Sequence, residues 1–151
     1  MSDVFEHNFR AGWGEMDYNR HMGNTAYLDI SADTRFMYFE ANGFTSAEFE
    51  RRQISPVVMR DTIEYHAEIR LQEEFSVTFE LEGLSEDGSR FRLRNTFLKA
   101  DGRVAAVVTT DAGWMSLVKR QLVIPPDELL SAMSRLNRTE DFEDLPSSVD
   151  T

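Results

Sequence analysis

The sequence contains no cysteine. That excludes disulfides, thiolate metal sites and a cysteine nucleophile, and it suits a reducing compartment. No apolar run comes near the roughly 18 residues of a membrane span. The opening "MSDVFEHNFR" has neither the basic start nor the apolar stretch of a secretory signal. A cytoplasmic protein with no membrane attachment is therefore expected. Basic residues are scarce: 16 Lys and Arg stand against 27 Asp and Glu, a net charge of −11. Five acids and no base fall in the stretch 139–151, "TEDFEDLPSSVDT", which leaves 16 bases against 22 acids in the body. Such a surface argues against a nucleic-acid partner, though a small anion held by a few local arginines stays compatible with it. Only three histidines occur, none four residues from another, so no metal site is expected.

What is present suits one packed domain. The chain has 151 residues, is 41% hydrophobic and carries eleven phenylalanines, enough for a single core. That domain is expected over residues 1–138, with 139–151 as an acidic, mobile tail too poor in apolar residues to pack. "VFEHNFRAGWG" reads as a strand. From Asn24, "NTAYLDISADTRFMYFEANG" places Tyr27, Ile30, Thr34, Met37 and Ala41 at helical spacing. Asn24 is the expected N-cap and Gly43 the expected glycine just past the helix end. "TSAEFERRQ" carries a capping box, Thr45 to Glu48, and predicts a short second helix. Beyond Pro56 the texture is β. "VVMRDTIEYHAEIRL" predicts one long strand or two joined by a bend, and three further strands are linked by turns at "SEDGSR" and "ADGR" into an antiparallel meander. A last helix, "DELLSAMSRLN", follows two prolines with Asp127 as its cap. The order predicts an α+β fold, one long buried helix against one curved antiparallel sheet.

Between the first strand and the long helix lies "WGEMDYNRHMGN", residues 13–24, which crowds two carboxylates, two amides, a histidine and an arginine into twelve positions. Turns and caps alone can account for such a composition. The spacing is more specific. "WGEMDYNRHMGNTAYL" resembles the signature of the hotdog-fold thioesterases, in particular the 4-hydroxybenzoyl-CoA thioesterase-like group. Further matches are Arg35, the "ANGF" that ends the helix, "VVMRDTIEYHAEIRLQEE" and "KRQLVIPPDEL", so the likeness runs from about residue 4 to 135. Plant-type acyl-carrier-protein thioesterases of the same fold use an Asp-x-Asn-x-His run, and "DYNRH" repeats it as Asp17, Asn19 and His21. The chain departs from the pattern at Ala32, where a glutamate is common, and at Glu68 and "QEE", where Pro and Gly-Asp are usual.

The resemblance implies an acyl-CoA thioesterase in which Asp17 is nucleophile or general base. Asn19 would hold the carboxylate or a water by its amide, and His21 would orient water or accept a proton. The free N–H groups at the start of the long helix, at Gly23, Asn24 and Thr25, would stabilise the oxyanion. Glu68 or Glu64 on the strand and Asp33 or Asp29 on the helix are additional carboxylate candidates. No cofactor is implied, coenzyme A being part of the substrate. The open sheet edge of one hotdog unit implies a homodimer or homotetramer with its active site between subunits. The Arg90, Arg92 and Arg94 stripe is expected to be a solvated or inter-subunit face, with binding of coenzyme A phosphates as the alternative. His7 and His66 read as structural. Two other functions suit the same fold: a non-catalytic acyl-CoA sensor and a hydratase/dehydratase.

Overall fold

A computed structural model describes residues 4–149. The chain forms β1 (Phe5–Arg10), a 3-10 turn at Trp13–Glu15, α1 (Asn24–Ala41), α2 (Ser46–Arg52), β2 (Ile54–Tyr65), β3 (Glu74–Ser85), β4 (Arg90–Lys99), β5 (Val104–Ser116), β6 (Gln121–Val123), α3 (Asp127–Ser134) and β7 (Arg138–Leu145). The seven strands form one sheet of order β1-β3-β4-β5-β2, with β6 added to β5 and β7 to β3. All pairings are antiparallel except β3 with β7. This is the α+β hotdog arrangement: a curved sheet around one long helix.

α1 buries Ala26, Tyr27, Ile30, Ser31, Thr34, Tyr38 and Phe39, positions three or four apart on one face. Its first half packs on Phe75, Val77, Phe97 and Val108, and its second half on Phe79, Phe91 and Trp114. Trp114 is fully buried, with Phe91 at 4.9 Å and Phe39 at 5.8 Å between ring centroids. The helix ends at Asn42. Gly43, at φ +89°, donates its N–H to the Glu40 carbonyl, and the Phe44 N–H reaches the Phe39 carbonyl. That pair of bonds is a Schellman ending, and it needs the left-handed conformation glycine allows.

Three expectations are corrected. Gly23, not Asn24, is the N-cap of α1; Asn24 is already helical, and its side-chain oxygen accepts from the Thr25 N–H at 3.0 Å. Pro126 likewise precedes α3, and Asp127 is its first helical residue. The stretch 139–151 is not a mobile tail over its described length. Residues 138–145 form β7, parallel to β3, Ser147 donates to Asp87 and the Ser148 N–H donates to Ser89, while Asp150 and Thr151 lie outside the described residues. Composition argued for disorder because it counts apolar residues, whereas β7 is held largely by charge. Arg92 pairs with Asp111 and Glu143, and Arg94 with Glu82 and Asp141. Within the arginine stripe, Arg92 and Arg94 are thus matched to acids of neighbouring strands.

The long stretch after Pro56 is one strand that carries a bulge between Val58 and Arg60 and stops at Tyr65. Residues 66–73 then bend back toward the loop before α1.

Candidate active site

The polar loop is a closed structure. Met16 and Met22 form an antiparallel bridge, the Asp17 N–H donates to the His21 carbonyl at 3.0 Å, and the Gly23 N–H donates to the Glu15 carbonyl at 3.0 Å. Arg20, at φ +64°, turns the chain back between them. The loop is anchored at both ends. Ala11 exchanges backbone hydrogen bonds with the 72–73 turn, Met22 donates to the Ile69 carbonyl at 2.7 Å, and Ala11, Met22 and Ile69 are all buried. His21 bridges Arg70. The loop is therefore clamped between the start of α1 and the turn that leads into β3.

Asp17 stands at the centre of this loop. Its Oδ1 accepts the Asn19 N–H at 2.8 Å, an Asx turn, and its Oδ2 lies 3.9 Å from His21 Nδ1. The expected contact of Asn19 is thus made by its main chain rather than its amide, because an Asx turn draws on the N–H two residues on. His21 Nδ1 also lies 3.1 Å from the Met22 carbonyl oxygen. A carbonyl only accepts, so the contact calls for a proton on Nδ1.

Gly23 packs against the acid. A Cβ at this position would lie 3.3 Å from Asp17 Cβ and 3.7 Å from its Oδ2, in a backbone of negative φ. Room for a side chain here is short, and that space is filled by Asp17. The helix N-terminus is consequently beside the carboxylate, but its donors are unequally available. The Gly23 N–H is held by Glu15 and the Thr25 N–H by Asn24 Oδ1, while the Asn24 N–H carries no hydrogen bond among the described residues.

Asp17 opens onto a cleft of about 670 Å³ lined also by Trp13, Met16, Tyr18, Arg20 and Leu71. Trp13 is 81% exposed and Tyr18 fully so, which puts two aromatic faces in water beside a carboxylate. Glu68 is exposed on the adjoining 66–70 segment, where it pairs with Arg70 at 3.4 Å. Asp33 is on the outer face of α1, nine residues past Asn24 and so roughly 13 Å along the axis. The loop trio and the helix start are thus brought together, and Asp33 is not among them within one chain. Among the described residues no three His, Asp or Glu side chains converge as a metal site.

One core residue of α1 feels the charges around the loop. Tyr27, in the first turn of α1, is buried, and its pKa is pushed up to about 12 by that burial and by the charges of Tyr65, Glu73, Asp17 and Glu68. The hydroxyl is therefore held neutral. The residue's position among apolar helix residues marked it as core.

The sequence profile of the thioesterase-like superfamily matches residues 11–133. The chain belongs to that superfamily. Solved structures agree on the fold. A Staphylococcus aureus protein characterised in complex with CoA is 19% identical, with 99% of this chain and 90% of that one covered and a TM-score of 0.79. A 1,4-dihydroxy-2-naphthoyl-CoA thioesterase from Synechocystis is 11% identical over 87% and 96% of the two chains, at a TM-score of 0.77. A DHNA-CoA thioesterase from Staphylococcus aureus is 18% identical over 87% and 89%, at 0.79. No curated protein matches the chain. In this member of the thioesterase-like superfamily, the matched region takes in the whole Asp17 loop, α1, α2, strands β2 to β6 and nearly all of α3.

Proposed function

We propose that this protein is an acyl-CoA thioesterase that hydrolyses an acyl- or aroyl-CoA thioester to the free acid and CoA through Asp17. The observation that carries the reading is the Asp17 carboxylate, fixed by the Asn19 N–H and presented to an aromatic-walled cleft at the start of α1. Thioester hydrolysis needs attack at the carbonyl carbon and a donor for the developing oxyanion; the thiolate leaves readily. Asp17 either attacks directly, giving a mixed anhydride that water cleaves, or takes a proton from the attacking water. The Asn24 N–H, backed by the helix dipole, is the oxyanion donor. His21 Nε2 accepts a proton from water in the site.

The acyl carrier is CoA rather than an acyl-carrier protein, because a chain of net charge −11 repels an acidic protein partner. The working unit is a homodimer joined through β2. That strand pairs with β5 alone among the described residues, and Val58, Met59 and Tyr65 are exposed along it.

The test is thiol release from aryl-CoAs and from acyl-CoAs of graded length, by wild type and by Asp17→Asn. The variant is expected to fold normally and to lose at least about 100-fold in kcat. Full activity in Asp17→Asn would remove Asp17 from the mechanism, and no turnover of any CoA thioester by wild type would sink the hydrolase reading.

A further inference from the structure

The loop that carries Asp17 hangs on residues 66–73, so whatever fixes that segment fixes the loop. Met22 donates to the Ile69 carbonyl at 2.7 Å, and His21 bridges Arg70. Main-chain bonds fasten the segment at its two ends. The Ala105 carbonyl accepts the His66 and Ala67 N–H groups at 2.8 and 3.0 Å, and Ala11 pairs with Gln72 and Glu73. Between those ends the segment receives a side chain from the sheet, Lys99, the last residue of β4. Its Nζ lies 2.8 Å from Glu73 Oε2 and also donates to the Glu68 carbonyl. The other oxygen of Glu73, Oε1, accepts the Arg70 N–H at 3.1 Å. Lys99 and Glu73 therefore grip the main chain on both sides of Ile69, at the carbonyl of residue 68 and the N–H of residue 70.

The pair is also shielded from water. Its side chains are 13% and 24% exposed, against 56% and 68% for the pair Arg10 and Glu74 at the end of the segment. Exposed pairs contribute little, whereas removing one partner of a shielded pair leaves a charge uncompensated. Burial pulls the Glu73 pKa upward, but the hydrogen bonds from Lys99 and from the Arg70 N–H outweigh it, and the carboxyl stays below its ordinary value. Neither Lys99 nor Glu73 lines the Asp17 cleft, so neither touches what binds there. We propose that Lys99, acting through Glu73, is a positioning residue for the Asp17 carboxylate. It fixes residues 68–70, and these fix the His21–Met22 side of the loop. Its kinetic consequence rests on the hydrolase reading of Asp17, while the clamp itself is measured without a thioester. A displacement of only about 1 Å at a reacting group is enough to cost a large part of the rate.

Lys99→Met, Lys99→Arg and Arg103→Met test it, by amide hydrogen exchange and by kinetics with a CoA thioester. Arg103 is a cation of the same β4–β5 turn and pairs with Asp101, so Arg103→Met controls for loss of charge alone. In Lys99→Met the Met22 N–H is expected to exchange at least about tenfold faster, while amides inside β3 and β4 keep wild-type rates. Well below its thermal midpoint, kcat is expected to fall about tenfold with KM within about twofold of wild type. A purely structural role would lower the midpoint and leave kcat alone. Lys99→Arg, which keeps the cation, should recover part of both losses, and Arg103→Met should match wild type. Glu73→Gln, which keeps an acceptor for both donors and removes the charge, should shift both readouts the same way and decides the matter if Lys99→Met fails to fold. Wild-type exchange at Met22 in a folded Lys99→Met, an unchanged kcat, or an equal loss in Arg103→Met would each overturn the proposal. Absence of turnover by wild type would fall on the hydrolase reading alone, and exchange at Met22 would then decide the clamp.

Discussion

A single missing methyl group at residue 23 sets how close Asp17 comes to the helix. Gly23 has an ordinary negative φ, so alanine is allowed there by its backbone; what it lacks is room, with Asp17 Cβ 3.3 Å away. Gly23→Ala is therefore expected to push the carboxylate aside while the fold survives. Kinetics should show kcat down about tenfold or more, with stability changed by no more than about 1 kcal/mol. An unchanged kcat would mean that the position of Asp17 is not critical. Tyr27 is a second residue to probe. Tyr27→Phe keeps the ring contacts with Phe97 and Tyr65 and removes only the neutral hydroxyl. A several-fold loss of kcat at unchanged thermal midpoint is expected if that hydroxyl donates in the site. At this scale the sequence was partly readable. The Asp-x-Asn-x-His spacing located the loop, but which atom of Asn19 bonds Asp17, and that Gly23 makes room for the acid, are matters of three-dimensional packing.

β7 shows what one element gains from charge. Its outward acids Asp141 and Glu143 meet Arg94 and Arg92, and behind them Glu82, only 12% exposed at its side chain, depends on Arg94 at 2.5 Å. Arg94→Met leaves Glu82 without its closest partner and is expected to lower stability by roughly 3 kcal/mol in denaturant titrations. The same interactions make β7 sensitive to acid. The Thr139 hydroxyl, and after it Arg94, holds the Asp141 pKa below its ordinary value. At Asp87 burial pulls upward, but hydrogen bonds from Ser147, Ser89 and Ser85 outweigh it, and the pKa falls well below the usual range. Carboxylates depressed in the folded state contribute stability above their unfolded pKa of about 4 and lose it as pH falls through the folded value. Hydrogen exchange on acidification below about pH 4 should therefore report loss of protection in 138–145 before β4 and β5. Simultaneous loss in all three strands would contradict this. The alternation of Arg90, Arg92 and Arg94 was legible as a strand face. That a distant acidic stretch would settle against it was not, because hydrophobic periodicity carries no record of pairing between remote charges.

At the scale of the whole molecule, the bare edge of β2 is the feature that asks for a second copy. Light scattering is expected to give twice the 17.4 kDa chain mass. Thr62→Pro, in the middle of that edge strand, should yield monomers with depressed turnover. A wild-type monomer of full activity would refute assembly through this edge. The overall plan was the most readable layer, since α1 declared itself by its spacing and by Gly43, and the hairpin strands by alternation and turns. β7 was the exception, and its pairing also bears on how the molecule assembles in time. Its partners on β3 lie about 60 residues earlier, and it joins parallel to them, so the contact is among the more remote in the chain. Closing so long a loop is worthwhile only after β3, β4 and β5 have formed the surface that receives it. β7 is thus a late-docking strand: substitutions at Asp141 or Glu143 should leave the folding rate nearly untouched and speed unfolding, the low-φ pattern of a segment that arrives last and leaves first.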